Sequence, residues 1–167
     1  MDIKKSYANG FTLIEVLVVI VIIAIVSGVA LLTFSHDRQR DCVRVADSIS
    51  HLLSLAETDA IFHSTTFGLV ISSNGFEMLQ YREGDASWKA LPNRYYHFHR
   101  LGSDIQLTLY IDNKKVSLGG APSIIISSDG SVTPFVLGIG LSDELPSYQL
   151  KMDSHHEISA GSFHEEE

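Results

Sequence analysis

The apolar positions of this chain change their period twice. From Phe11 to Phe34 they are nearly continuous, broken only by Thr12, Glu15, Ser27, Gly28 and Thr33. As a helix this stretch of about 24 residues spans roughly 36 Å, enough to cross a bilayer. From His36 to Phe62 there is no Pro or Gly, and Val43, Ala46, Ile49, Leu53, Ala56 and Ala60 recur at spacings of three and four. Such spacing puts them on one helical face, with Arg38, Arg44, Asp47, Ser54 and Asp59 largely elsewhere. The two stretches predict one continuous helix from about Phe11 to Phe62, lipidic in its first half and laying a stripe on a core in its second. Gly28 is its one helix-weakening residue in the lipidic half.

Beyond Thr65 the period falls to two. Strands are predicted at Phe67–Ser72, Phe76–Arg82, Ile105–Ile111, Val116–Leu118, Ser123–Ser127, Thr133–Ile139 and Tyr148–Met152, with a weaker one at Glu157–Ala160. Ser73-Asn74-Gly75, Asp112-Asn113-Lys114 and Ser128-Asp129-Gly130 suit the tight turns between them. Arg100–Ile105 and Asp143–Ser147 read as loops, and Asp85–Arg94, with Pro92, as a longer connection. Ser162–Glu167 reads as a frayed tail. The fold class is α+β: a long N-terminal helix packed on an antiparallel sheet or sandwich.

Charge and cysteine content narrow the function. The chain of 167 residues has a formal charge of −8, with 45% apolar and 19% charged residues, which excludes global disorder. Beyond Phe34 there are 10 Lys and Arg against 18 Asp and Glu. That balance argues against a nucleic-acid partner, because Lys and Arg on phosphate supply most of such affinity. Cys42 is the single cysteine, so no intrachain disulfide forms. It lies near the helical stripe and reads as a small buried apolar residue, with an intersubunit disulfide as the alternative.

Candidate chemistry is thin. His97 and His99 would face one side of a strand, as metal ligands can, and His155, His156 and His164 could join them. There is no Cys pair, no second HxH and no H-E-x-x-H, so hydrogen-bonded or solvent-facing histidines and no metal are expected. Asp112 and Asp129 lack the clustered oxygen-ligand spacing of a calcium site. Gly119-Gly120 has no following Lys-Ser or Lys-Thr, so it is a turn and not a phosphate loop. No G-x-S-x-G occurs, and neither an enzyme nor a cofactor is expected.

Glu15 is the anomaly. A carboxylate inside a lipid-soluble helix is costly and commonly has a function or a partner. A plain membrane anchor does not explain it. Nor does a secretory signal with Lys4 and Lys5 as its basic end and cleavage near Gly28-Val29-Ala30. Counting Lys4 and Lys5 on one side against Arg38, Arg40 and Arg44 on the other leaves orientation open.

The leader Met1–Gly10, followed by Phe11-Thr12-Leu13-Ile14-Glu15 and a long apolar run, resembles a type IV pilin-like (class III) signal. The resemblance implies cleavage between Gly10 and Phe11 by a membrane prepilin peptidase, N-methylation of Phe11, and Glu15 at mature position five. Residues 1–10 would be the leader, 11–34 the transmembrane and assembly helix, and 35–167 a periplasmic domain on a single-pass inner-membrane anchor. Glu15 would then make a charge pair with a neighbouring subunit.

A second resemblance covers the rest. "NGFEMLQYREGDASWKAL" (Asn74–Leu91, with Trp88) and "DGSVTPFVLGI" (Asp129–Ile139) are similar to an earlier and a closing hairpin of the H-type (GspH/FimT-like) minor pseudopilins of type II secretion. The side chains of Trp88 and Phe135 read as core aromatics on strands. The family implies a structural subunit near the tip of a short periplasmic filament that drives protein export. Its partners would be the other minor pseudopilins, the major one and the inner-membrane secretion platform. The alternative is a minor pilin of a type IV pilus (FimT/FimU-like), involved in priming or DNA uptake. Lys151, then acidic Glu157 and Glu165–Glu167, argue against DNA.

Overall fold

The computed structural model describes residues 12–91, 94–142, 144–155 and 157–163, without the side chains of 29–39. The chain divides into two units, 1–38 and 39–167. Helix α1 (Leu13–His63, 51 residues) begins in the first and ends in the second.

In the first unit Thr12 caps α1. Its hydroxyl oxygen and its carbonyl oxygen both accept from the Glu15 N–H, at 3.3 and 3.1 Å. That satisfies one of the donors a helix start leaves unpaired. Among the described residues no helix is long and apolar enough to cross a membrane. The described side chains of the apolar run stop at Gly28, while the run continues in sequence to Phe34.

The second unit is built on two antiparallel sheets. The first carries β1 (Phe67–Ser72), β2 (Gly75–Arg82), β3 (Ser87–Ala90), β4 (His99–Arg100) and β7 (Ile124–Ile126), in the order β3-β2-β1-β7 with β4 also on β2. The second carries β5 (Ile105–Ile111), β6 (Lys114–Val116), β8 (Phe135–Leu141), β9 (Tyr148–Met152) and β10 (Ile158–Ser162), in the order β10-β9-β8-β5-β6. One core joins them to α1. The helix supplies Cys42, Ala46, Ile49, Leu52, Leu53, Ala56 and Ala60, all under 9% exposed. The small residues among these let the sheets approach the helix closely, and Leu69, Met78, Leu109, Leu137 and Leu150 fill the space at 0% exposure. Among the described residues no charged or polar residue is buried.

The helix, β1, β5 and β9 lie where the periodicity put them; β8 starts and ends two residues later than expected, Ser162 belongs to β10 and not to a frayed tail, and four further details differ. Val43 is only half-buried and Cys42 takes its place in the stripe. Sequence spacing of three and four fits either residue, and the packed sheets choose. The strand expected at 116–118 begins at Lys114, because Asp112 and Asn113 both adopt positive φ (49° and 59°) and pair Ile111 with Lys114 directly across the turn. β3 and β4 arise where a connection was expected. Ala86 at φ 45° reverses the chain after a short 3-10 turn (Glu83–Asp85) and lays Trp88 opposite Tyr81.

Trp88 is the fourth. It is half-buried and stays out of the core cluster, unlike Phe135 at 3% exposure. A Cβ on Gly68 would stand 2.8 Å from the Trp88 ring and 2.6 Å from Pro122. The missing side chain leaves the floor on which the indole lies, 5.1 Å from the Tyr81 ring.

Candidate functional site

The candidate site lies at the start of α1. Thr12-Leu13-Ile14-Glu15 has the spacing of a capping box, and the threonine half of it is formed. Glu15 stands in the first helical turn, where the positive end of the helix dipole favours a carboxylate. The side chain is exposed, and no cation pairs with it among the described residues. Around it the large apolar side chains from Leu13 to Val26 are between 45% and 85% exposed. Water is a poor surrounding for such a surface. The helix start thus offers a bare apolar cylinder with one carboxylate near its end. Gly10 and Phe11, the expected cleavage and methylation positions, lie outside the described residues.

The His97 and His99 rings come together, but not through the strand geometry expected: His97 lies in a bend before β4, and only His99 is on the strand. The His97 and His99 rings stack with centroids 4.3 Å apart, and His99 lies flat on Phe76 at 5.0 Å. His97 Nδ1–H donates to the Arg94 carbonyl at 2.8 Å, and His99 Nε2–H to that of Tyr95 at 3.4 Å. A carbonyl only accepts, so these bonds set which ring nitrogens carry protons. Among the described residues no three His, Cys, Asp or Glu side chains converge on a metal position; His156 and His164 lie outside those residues. Asp129 Oδ1 accepts from the N–H and hydroxyl of Ser131 and braces its own turn, with Gly130 at φ 86°. Asp112 forms part of the β5–β6 turn.

One polar site had no signal in the sequence. Asp59 and Tyr96 are 37 residues apart, yet the Tyr96 hydroxyl donates to the Asp59 carboxylate at 2.5 Å. They line an open cavity of about 410 Å³ with His63, Gln80 and Leu91. Burial, with the Asp59 carboxylate as acceptor, pushes the Tyr96 phenol well above its usual range. The bond ties the end of α1 to the segment before β4. No periodicity couples the two positions, so only the folded chain reveals the pair.

Cys42 is 1% exposed, and burial pushes its thiol up, partly offset by a hydrogen bond with Ser147. Thiolate is the reactive form. Alkylation at pH 8 is therefore expected to be at least about 100-fold slower in the native chain than in denaturant. Timed iodoacetamide labelling followed by mass spectrometry measures it. Equal rates would mean an accessible thiol and return weight to an intersubunit disulfide.

Comparison with known proteins connects this helix start to the domain behind it. Residues 5–31 match the prokaryotic N-terminal methylation motif. The type II secretion system protein H of Pseudomonas aeruginosa is 28% identical over 143 residues, covering 78% of this chain and 81% of that relative. The protein of the same name from Pectobacterium carotovorum is 24% identical over 166 residues, covering 87% and 88%. The minor pseudopilin EpsH from the type 2 secretion system of Vibrio cholerae superposes with a TM-score of 0.67 at 20% identity, over 76% of this chain and 99% of EpsH. The motif, these relatives and the shared fold together support a GspH-like pseudopilin of type II secretion.

The chain has the pilin-like fold, an N-terminal helix on antiparallel sheets. The solution structure of Escherichia coli GspH shares that fold more loosely, with a TM-score of 0.55 at 16% identity over 75% of this chain and 92% of that one. The hairpin around Trp88 is β2–β3, so the resemblance located a strand that local periodicity did not. The second motif, Asp129–Ile139, instead crosses between sheets. Ile126 bridges Val132 on the first, and from Phe135 the chain runs in the second.

Proposed function

We propose that this pseudopilin is a non-enzymatic subunit at or near the tip of a periplasmic filament that drives protein export through the outer membrane. In this reading residues 11–34 hold it in the bacterial inner membrane, single-pass, with the C-terminal domain in the periplasm. A prepilin peptidase cuts between Gly10 and Phe11, and Phe11 is N-methylated. Glu15 then pairs with the terminal ammonium of a neighbouring subunit. The partners are the other minor pseudopilins, the major one and the inner-membrane secretion platform.

The observation that carries the reading is the exposed Glu15 carboxylate amid exposed apolar side chains from Leu13 to Val26. A helix surface of this kind is satisfied only in lipid or against other helices like it. There the carboxylate needs a cation, and the terminal ammonium created by cleavage lies about 6 Å along the axis in each subunit.

Intact-protein mass spectrometry of the chain isolated from membranes tests the processing. The expected terminus is Phe11, one methyl group heavier than the unmodified residue. A terminus after Ala30, or a chain free in the periplasm, overturns it.

A further inference from the structure

The second sheet ends on β10, and its pairing register tells which backbone groups are in use. β10 runs antiparallel to β9, from Ile158 opposite Met152 to Ser162 opposite Tyr148. In such a ladder alternate residues exchange bonds with the neighbour and those between point away. The Phe163 N–H donates to the Ser147 carbonyl at 3.2 Å, and the Asp153 N–H to that of Glu157 at 3.3 Å. Residues 157 and 163 are thus bonded positions, and so are 159 and 161 between them. Ile158, Ala160 and Ser162 turn their N–H and C=O groups outward, and no hydrogen bond reaches those groups among the described residues.

Proteins usually blunt an open edge with charge, proline or a cover. The other edges here follow that rule. β6 carries exposed Lys114 and Lys115, β3 carries exposed Lys89, and β4 is two residues long. β7 is continued by the Ile126–Val132 bridge and by bonds between Ile125 and Thr133. β10 reads Ile-Ser-Ala-Gly-Ser, with no charge and no proline. Gly161 is also unexplained within the chain: its φ lies outside the left-handed region, and a Cβ there would meet nothing within 4 Å. Glycine weakens a strand and often marks the close approach of another backbone.

Charge selects what approaches. Glu157 is exposed at one end of β10, and Glu165–Glu167 follow it in the sequence, with no Lys or Arg after Lys151. Pairing with a second copy would bring together two edges that each carry exposed Glu157, on chains of net charge −8. We propose that β10 is a docking edge for an extended, basic segment of a different protein, which adds to the five-stranded sheet as a sixth strand. The inference uses only this edge and does not depend on how the membrane end of the chain works.

The test uses the full chain in detergent and measures amide hydrogen exchange at Ile158, Ala160 and Ser162. The probe is the peptide Lys-Lys-Val-Thr-Val-Thr-Lys-Lys, with a twin carrying Glu at the four Lys positions. The lysine peptide is expected to slow exchange at these amides by at least about tenfold, saturably, and the glutamate twin to leave it unchanged. Ala160→Pro removes an outward N–H without costing a bond to β9, so it is expected to abolish the slowing at unchanged Tm. Ala160→Lys keeps the amide but adds charge to the edge, and is expected to weaken the effect whether or not the proline variant folds. Unchanged exchange with saturating lysine peptide overturns the proposal. Equal slowing by both peptides does the same, as does concentration-dependent slowing without peptide, which would make a second copy the occupant.

Discussion

Replacing Glu15 by Gln is expected to leave cleavage after Gly10 intact while impairing incorporation into the filament and reducing secretion. A carboxylate in the hydrocarbon costs about 2.5–3.5 kcal/mol on insertion scales, and the proposed pairing with a neighbour's terminal ammonium would offset that cost for both charges. Such a pair would also select one axial register, since only one offset would bring the two groups together. A loss of about 3 kcal/mol corresponds to roughly 100-fold in the incorporation equilibrium. The competing account is local. Glu15 sits in the first turn behind the Thr12 cap, where the helix dipole rewards a negative charge by about 0.3–1 kcal/mol. Gln still serves in a capping box, so a purely local role predicts a small effect. Thr12→Ala isolates the cap and is expected to cost about 1 kcal/mol of helix stability. Crosslinking to the other pseudopilins at native expression separates the accounts: wild-type yield from a fully processed Glu15→Gln chain would show that the pair is not required.

Gly75→Ala is expected to be the most damaging single-methyl change among the glycines of the β-sheets. Gly75 opens β2 after the turn, opposite Ser72 on β1, and faces Arg100 on β4. A Cβ there would fall onto the Phe98 ring and the His99 carbonyl oxygen. A ring can swing aside, but the backbone carbonyl moves only if β4 leaves β2. Overpacking of this kind costs about 1–3 kcal/mol and occasionally more, and the upper end is expected because backbone is the obstacle. Gly84→Ala is the control, because its Cβ would meet nothing within 4 Å and its φ is not positive. That change is expected to be neutral, or to stabilise by about 0.4–1 kcal/mol by restricting the unfolded chain. Urea unfolding of both variants gives the comparison. Similar midpoints would mean that β4 yields easily and that Gly75 is only a turn residue.

These two positions show how differently the chain can be read. Glu15 stood out because one charge in a run of apolar residues needs no tertiary information to look expensive. Gly75 looked like part of a Ser-Asn-Gly turn, yet its φ is not positive and the turn does not require it. What requires it is β4, two residues drawn from a stretch with no period-two pattern and brought to β2 from about 25 positions away. The histidines fall between. Their rings do meet, but His97 sits in a bend and not on a strand, and the Arg94 and Tyr95 carbonyls and the Phe76 ring that engage the pair were not readable from spacing.

By itself the sequence determined what local periodicity and local chemistry control: the helix and its buried stripe, the long strands, the Asp112-Asn113 turn, and the lone acid at the helix start. Each depends on residues a few positions apart, where 3.6- and 2-residue periods and turn preferences act directly. Tertiary structure alone decided that Val43 is left half-buried while Cys42 is buried as its small apolar side chain suggested, that Trp88 lies over Gly68, that Asp59 meets Tyr96, and that β10 is left with an open edge. These follow from volumes and backbone groups that meet across long chain separations, and a position along the sequence carries no record of which distant neighbour will fill its space.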